Sequence, residues 1–378
     1  MAPKARKLRG QGRGSRATEA GARVWLAGGA IAAAVALVAC VRRRSAAPPL
    51  AASPLRADYL SGFELEETLT REEAAFTQGL CIDDSGALWE SVGHYGRSAV
   101  RQLVRAPPSS GAAPAALRVG ASVPLADELF GEGLACLPDG QLLQLTWREG
   151  LGLQYATRPA LALARARALR GEFRSPAPAG AGAPARPREM WGVAFLPSAG
   201  ADGGGVLVAS NGSSLLLHLH ARSLRLLRAV RVVDAALGLA IEGLNELEVV
   251  EGEVWANVYP MWQRTHSACV ARIWPDDGRV LGWVDLTALA RTERAAVTDA
   301  YNNVLNGIAY NHTAPEPPPR AAGGADGGGA RRHRPLLVTG KNWGAAYRIQ
   351  LAPHAAAQAG STAAGAAHVR RVCGLYAG

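Results

Sequence analysis

Five short apolar runs in the chain each carry one residue that a buried strand does not ordinarily hold. They are Gln78 in Thr77-Gln78-Gly79-Leu80, Glu132 in Gly131-Glu132-Gly133-Leu134, Trp191 in Met190-Trp191-Gly192-Val193, Asn245 in Leu244-Asn245-Glu246-Leu247 and Asn306 in Leu305-Asn306-Gly307-Ile308. A carboxylate can exchange protons and carboxamides can hold a polar ligand, so these types gathered in one place point to a site. The plainer alternative is that each merely satisfies backbone groups locally. The mixture of a carboxylate, three carboxamides and an indole at one register favours the site.

The elements that position them repeat. Each run is followed, after a turn, by a second apolar run, from Leu88-Trp89-Glu90-Ser91 to Leu336-Leu337-Val338-Thr339-Gly340. Asp84-Ser85-Gly86, Pro138-Asp139-Gly140 and Glu251-Gly252-Glu253 supply strong turn chemistry between them. Counted at Gln78, Glu132, Trp191, Asn245 and Asn306, the steps are 54, 59, 54 and 61 residues. A period near fifty with several short strands per unit predicts an all-β fold, a five-bladed β-propeller over residues 58–378. The innermost strands of such a fold line a central channel, so the five positions converge at one mouth. A strand within Phe63–Thr70 is expected to close the last blade. Ala106–Pro114, Pro176–Pro187, Ala314–Pro335 and Ala352–Ala367 are low in complexity and are read as loop insertions.

The net charge of +10 is local. Over residues 1–44, Lys and Arg outnumber acidic residues ten to one, which leaves the remainder nearly neutral and excludes a nucleic-acid partner. Residues 1–23 read as a basic cytosolic tail, 24–41 as an uncharged transmembrane signal anchor and 42–57 as an Ala/Pro-rich stalk. The expected result is a single-pass membrane protein with its domain in the secretory-pathway lumen. A cleaved signal peptide ranks second and a plastid transit peptide third. Cys81, Cys136, Cys269 and Cys373 have no Cys-x-x-Cys spacing, so zinc-ribbon and redox motifs are excluded and disulfide pairing stays open. Asn211-Gly212-Ser213 and Asn311-His312-Thr313 are glycosylation sequons compatible with a lumenal glycoprotein. His218 and His220 alternate on an expected strand, but without a third ligand they read as ordinary strand residues.

Phe76-Thr77-Gln78-Gly79-Leu80, Glu90-Ser91-Val92-Gly93-His94-Tyr95-Gly96, Phe130-Gly131-Glu132-Gly133-Leu134, Leu145-Thr146-Trp147, Leu244-Asn245-Glu246-Leu247-Glu248, Val304-Leu305-Asn306-Gly307-Ile308-Ala309-Tyr310 and Val338-Thr339-Gly340-Lys341 follow one another in order. Together they resemble the glutamine cyclotransferases of plants and bacteria, from about Phe63 to Ile349. The resemblance implies a five-bladed propeller and an acyltransferase that converts the N-terminal glutamine of peptides to pyroglutamate, releasing ammonia. It assigns Glu132 as general acid/base, with Asn245 and Lys341 as the other catalytic residues, stabilising the oxyanion. Phe76, Gln78, Phe130, Trp147 and Trp191 then bind substrate, joined by Asn306 from the ring. The position after Ala256-Asn257-Val258 falls on Trp262 if a short insertion precedes it, with Tyr259 as the alternative. Asn211 stands where relatives often carry Asp. The glycines beside Glu132 are expected to admit the substrate backbone. No cofactor and no catalytic metal are implied; the partner is a peptide or protein with N-terminal Gln, and the enzyme is expected to be a monomer. Two alternatives stand beside this reading. One is a lactonase-like hydrolase with Glu132, Asn245 and Asn306 around Ca²⁺, the other a non-catalytic lumenal peptide-binding propeller.

Overall fold

The apolar runs fold as strands. The computed structural model describes residues 59–107, 114–171, 189–197, 205–259, 268–294, 302–315, 334–358 and 362–375. They belong to a compact unit, Pro54–Gly378. The tail and anchor expected over 1–41, and the stalk over 42–57, lie outside the described residues. Among the described residues no helix is long and apolar enough to cross a membrane.

The described chain opens with a long strand, β1 (Leu60–Arg71). A first antiparallel meander follows as β2 (Thr77–Ile82), β3 (Leu88–Val92), β4 (Ala99–Ala106) and β5 (Ala116–Pro124). The second is β6 (Gly131–Leu137), β7 (Gln141–Thr146), β8 (Leu151–Ala156) and β9 (Ala162–Ala168). The third is β10 (Val193–Leu196), β11 (Val206–Ala209), β12 (Leu215–His220) and β13 (Leu226–Arg231), trailed by a small hairpin of β14 (Val233–Asp234) and β15 (Leu239–Ala240). The fourth is β16 (Leu244–Val250), β17 (Glu253–Val258), β18 (Cys269–Ile273) and β19 (Val280–Asp285), capped by helix α1 (Thr287–Arg294). The last runs β20 (Leu305–Tyr310), β21 (Leu336–Gly340) and β22 (Ala345–Pro353), then helices α2 (Ala355–Gln358) and α3 (Thr362–Cys373). Its fourth strand is β1, which spans the Phe63–Thr70 segment and pairs antiparallel with β22 from Ser61↔Pro353 to Thr70↔Ala345. Among the described residues the fold is all-β, with short helices only.

Burial falls from the first strand of each meander to the last. Every residue of β16 and β20 is buried, whereas β9 and β13 are largely exposed. Strands covered on both faces need apolar residues at every position, which is why the first strands read as continuous runs without alternation. They also touch one another in a cycle: β2 against β6, β6 against β10, β10 against β16, β16 against β20 and β20 against β2. The first strands thus form a closed ring.

Two disulfides tie neighbours together. Cys81–Cys136 joins β2 to β6, and Cys269–Cys373 joins β18 to α3. A buried ionic cluster fastens β1 to the first meander. Arg71 donates from Nη2 to both Glu90 oxygens at 2.7 and 2.8 Å, Arg101 Nε donates to Oε2 at 2.8 Å, and Thr77 Oγ1 donates to Oε1 at 2.6 Å. Burial alone would raise the Glu90 pKa, but Arg71 and Arg101 outweigh it and hold the carboxyl below its usual range.

The sequon at Asn211 does not suit a glycan. Its side chain is buried, and Oδ1 accepts the Ser213 hydroxyl at 2.6 Å. His218 and His220 make no metal pair either. His218 is buried and bonded to the Pro275 backbone, and His220 Nδ1 accepts the N–H groups of Arg222 and Ser223 in a turn.

Candidate active site

Four of the five ring residues sit where their strand slips register against its neighbour. The shifts fall between Thr77 and Gly79, Gly131 and Leu134, Leu244 and Leu247, and Leu305 and Ile308, enclosing Gln78, Glu132, Asn245 and Asn306. The fifth, Trp191, lies just ahead of β10. A β-bulge frees a residue from ladder pairing and re-aims its side chain. One bulge per strand therefore gathers these side chains at the same end of the ring.

Glycine follows Gln78, Glu132 and Trp191 for a packing reason. A Cβ on Gly133 would lie 2.5 Å from the Val193 nitrogen, and one on Gly192 would lie 2.0 Å from the Asn245 carbonyl oxygen. Only glycine lets adjacent first strands come this close. At Gly131 a Cβ would meet the Gln144 amide. The glycines beside Glu132 thus face protein, contrary to the expectation that they admit substrate backbone.

The polar residues form a chain. Asn306 Nδ2 donates to the Thr77 carbonyl at 2.9 Å and to Gln78 Oε1 at 3.2 Å. That fixes the Gln78 amide so that its Nε2 donates to Glu132 Oε1 at 3.1 Å. Among the described residues this is the one hydrogen bond the Glu132 carboxyl group accepts. Asn306 is wholly buried, and its amide nitrogen holds the Gln78 side chain. Asn245 is buried at the same level, its carbonyl accepting Ser210 Oγ at 2.6 Å.

Glu132 is 5% exposed. Burial pushes its pKa well above the ordinary carboxylate value; Lys341 opposes that shift, while Glu189 and Glu149 add to it. Burial likewise lowers the Lys341 pKa, against the pull of Glu132. The lysine backbone is fixed by Lys341 N–H to the Val304 carbonyl at 2.8 Å, and its Nζ lies 4.9 Å from the Phe76 ring and 5.5 Å from the Tyr259 ring. Among the described residues, Glu132 and Lys341 feel each other's field without a direct ion pair.

Aromatic rings wall this space. Phe130 lies 5.4 Å from Trp147 and 6.4 Å, edge-on, from Phe76. Trp191 packs edge-on against Tyr259 at 5.9 Å. A Cβ on Gly212, which has φ +74°, would strike the Trp191 ring at 2.6 Å, so glycine there makes room for the indole. Glu189 locks the rim, accepting Trp191 Nε1–H at 3.1 Å and pairing with Arg148 at 2.7 Å. The Arg148 guanidinium in turn lies 3.6 Å over the Trp147 ring.

The structure thus brings together Phe76, Gln78, Phe130, Glu132, Trp147, Trp191, Asn306 and Lys341, with Asn245 on the same ring. Trp262 lies outside the described residues. Tyr259, its alternative, touches both Trp191 and Lys341. His94 and Tyr95 were not singled out as site residues, although the motif containing them was. The His94 ring lies 4.3 Å from Phe76, and the Tyr95 ring lies 5.3 Å from Phe130 while its hydroxyl donates to Glu149 at 3.0 Å. Glu189, two residues before Trp191, carried no signal of its own. The surroundings of Glu132 do not suit Ca²⁺: its carboxylate accepts the Gln78 amide N–H and lies in the field of the Lys341 cation.

A family model described as glutamine cyclotransferase matches residues 32–172 and 185–317. The chain belongs to the glutamine cyclotransferase family. It is 29% identical over 302 residues to a glutaminyl-peptide cyclotransferase of Arabidopsis thaliana, across 77% of this chain and 72% of the plant protein. The crystal structure of Myxococcus xanthus glutaminyl cyclase superposes with a TM-score of 0.55 at 28% identity, covering 79% of this chain and 98% of the bacterial one. The chain is accordingly an acyltransferase of the glutaminyl-peptide cyclotransferase type.

Proposed function

We propose that this cyclotransferase closes the N-terminal glutamine of peptides and proteins to pyroglutamate with Glu132 as the single proton shuttle. The substrate's α-amine attacks its own side-chain amide carbon, forming the lactam C–N bond and then breaking the bond to the departing nitrogen. Both groups belong to one residue, so the enzyme's work is restraint and proton traffic. Glu132 takes a proton from the attacking amine and returns it to the leaving nitrogen, which departs as ammonia. A pKa raised by burial above the ordinary carboxylate range suits a group that must do both. Lys341 and Asn245 stabilise the oxyanion of the tetrahedral intermediate, and Gln78, held by Asn306, keeps the carboxyl aimed. Phe76, Phe130, Trp147 and Trp191 exclude water and hold the glutaminyl side chain, with Tyr259 and Trp262 as the two residues that can complete the wall. The observation carrying this reading is a buried, elevated carboxyl that accepts one fixed side-chain hydrogen bond in an aromatic pocket beside a lysine. Mass spectrometry of a Gln-initiated peptide incubated with the protein tests it. Loss of one ammonia is expected with the parent protein and near-absence of it with Glu132→Gln; a fully active variant would remove Glu132 from the mechanism.

We also read the five meanders and their cyclic first-strand contacts as the blades of a five-bladed propeller, acting as a monomer because one chain supplies the whole site. The apolar segment 24–41, flanked by arginines, is proposed as a single-pass anchor that leaves the domain in the secretory lumen. Two disulfides suit an oxidising compartment. Protease protection and alkaline extraction of microsomes test this placement: a soluble, protease-sensitive pool would refute it.

A further inference from the structure

Away from the active site, two imidazoles and a carboxylate converge where the C-terminal segment lies against β19. Asp285 ends β19, His354 follows β22 and His368 sits on α3. His368 Nε2 lies 2.8 Å and His354 Nε2 3.5 Å from the same oxygen, Asp285 Oδ2. The two rings are 4.4 Å apart, and one ligand atom from each of the three residues lies within 4.8 Å of the others. Tetrahedral Zn²⁺ with bonds of about 2.0–2.1 Å sets adjacent donors roughly 3.3 Å apart, and the two observed separations bracket that value. Side-chain exposures of 10% for Asp285, 19% for His354 and 14% for His368 leave a solvent side for a fourth ligand. The other Asp285 oxygen accepts the Thr287 N–H at 2.9 Å, which fixes the carboxylate in the way that outer partners orient a metal ligand.

We propose that Asp285, His354 and His368 form a Zn²⁺ site, completed by water, that clasps α3 to β19. Two imidazole nitrogens and one carboxylate oxygen match zinc better than the all-oxygen preference of Ca²⁺ or Mg²⁺. The metal-free arrangement is a hydrogen-bonded one. His354 Nδ1 accepts the Ala356 N–H at 3.0 Å, and Arg371 Nη2 reaches His368 Nδ1 at 3.3 Å, so each ring presents an Nε2–H toward Asp285. Zinc entry moves each ring proton from Nε2 to Nδ1 and releases those two contacts. Zinc therefore strengthens a latch already held by hydrogen bonds, beside the covalent Cys269–Cys373 staple on the same helix.

The test uses the full-length protein stripped with EDTA and refilled with Zn²⁺ or Co²⁺. About one zinc per chain is expected by elemental analysis, with the visible bands of four-coordinate Co²⁺. Tm should rise by several degrees with zinc and fall back with EDTA. His354→Gln and His368→Gln should each lower zinc occupancy at least tenfold and abolish the Tm response, with glutamine cyclisation unchanged. Wild-type protein that holds no more zinc than these variants, or a six-coordinate Co²⁺ spectrum, would overturn the proposal and leave a metal-free His–Asp–His hydrogen-bonded latch. Should either variant fail to fold, the wild-type Co²⁺ spectrum and the zinc–EDTA melting cycle decide it alone.

Discussion

Replacing Glu132 with Gln should move activity and stability in opposite directions. The isostere keeps a carbonyl where Gln78 Nε2 now donates at 3.1 Å, so the pocket's shape and the Asn306–Gln78 chain survive. What is lost is proton transfer, typically a factor of 10²–10⁴, or about 3–5 kcal/mol of barrier at 1.36 kcal/mol per decade. Stability follows from linkage. The folded-state pKa of Glu132 lies above its ordinary value of 4.5, chiefly through burial, so the native state binds the proton more tightly than the unfolded chain. The carboxyl's favourable contribution is fully present below pH 4.5 and is lost as pH rises through the elevated folded value, at up to about 1.4 kcal/mol per pH unit. Gln has no proton to lose. The variant should therefore match the parent in acid and exceed it in urea denaturation at pH 8, by an amount that grows across that window. Steady-state kinetics on a Gln-initiated peptide and paired unfolding curves at several pH values measure both effects. A variant that loses stability in parallel with activity would make Glu132 a structural carboxylate, and the shuttle argument would fail.

Lys341→Met should lower kcat by about 10²–10³ by removing an oxyanion partner. Because Lys341 holds the Glu132 pKa down, the residual activity should also show its acid limb displaced toward alkaline pH; an unmoved profile would deny the coupling. Tyr259→Ala removes an aromatic contact to Trp191 and a cation–π contact to Lys341, each worth about 0.5–1.5 kcal/mol. About a tenfold or greater fall in kcat/KM is expected, and a larger fall in Trp262→Ala than in Tyr259→Ala would assign that wall to Trp262. Glu90→Gln leaves Arg71 and Arg101 buried without their shared carboxylate and should destabilise the protein by about 3–5 kcal/mol, read from urea midpoints. The Glu90 pKa is depressed in the folded state, so its contribution is present above pH 4.5 and is lost as pH falls through the lowered value.

The ring positions were legible because the sequence repeats them. Gln78, Glu132, Trp191, Asn245 and Asn306 each interrupt an apolar run at the same place, and a polar residue in a strand buried on both faces has few explanations. The bulges that aim them were not legible, since a register slip depends on what the partner strand does. For the same reason the glycines either side of Glu132 looked like room for substrate, when Gln144 and the next strand fill the space. Asn306 could be placed in the ring, but its task of holding Gln78 rests on a contact between residues 228 apart in sequence. Asn211 shows the converse: its sequon is a local pattern of three residues, and burial decides against it.

Buried acids recur along these strands, and their partners distinguish their roles. Glu246, next to Asn245 in its bulge, also has a pKa driven up by burial, yet its oxygens accept the backbone N–H groups of Leu80 at 3.4 Å and Ile308 at 3.0 Å. It bridges three first strands and has a structural task. Glu248, two residues on, is raised to about 8 by burial and accepts the Val249 N–H at 2.8 Å. Glu90 is fully paired with two arginines. Glu132 alone of the four is held by a side-chain amide that is itself positioned by another, within an aromatic pocket and beside a lysine with which it forms no direct pair. A carboxyl satisfied by backbone cannot give or take a proton without breaking the ring that holds it. One held by Gln78 on a single oxygen keeps its second oxygen for a substrate, and that asymmetry, more than the elevated pKa shared with Glu246 and Glu248, is the reason Glu132 is the acid proposed as the proton shuttle.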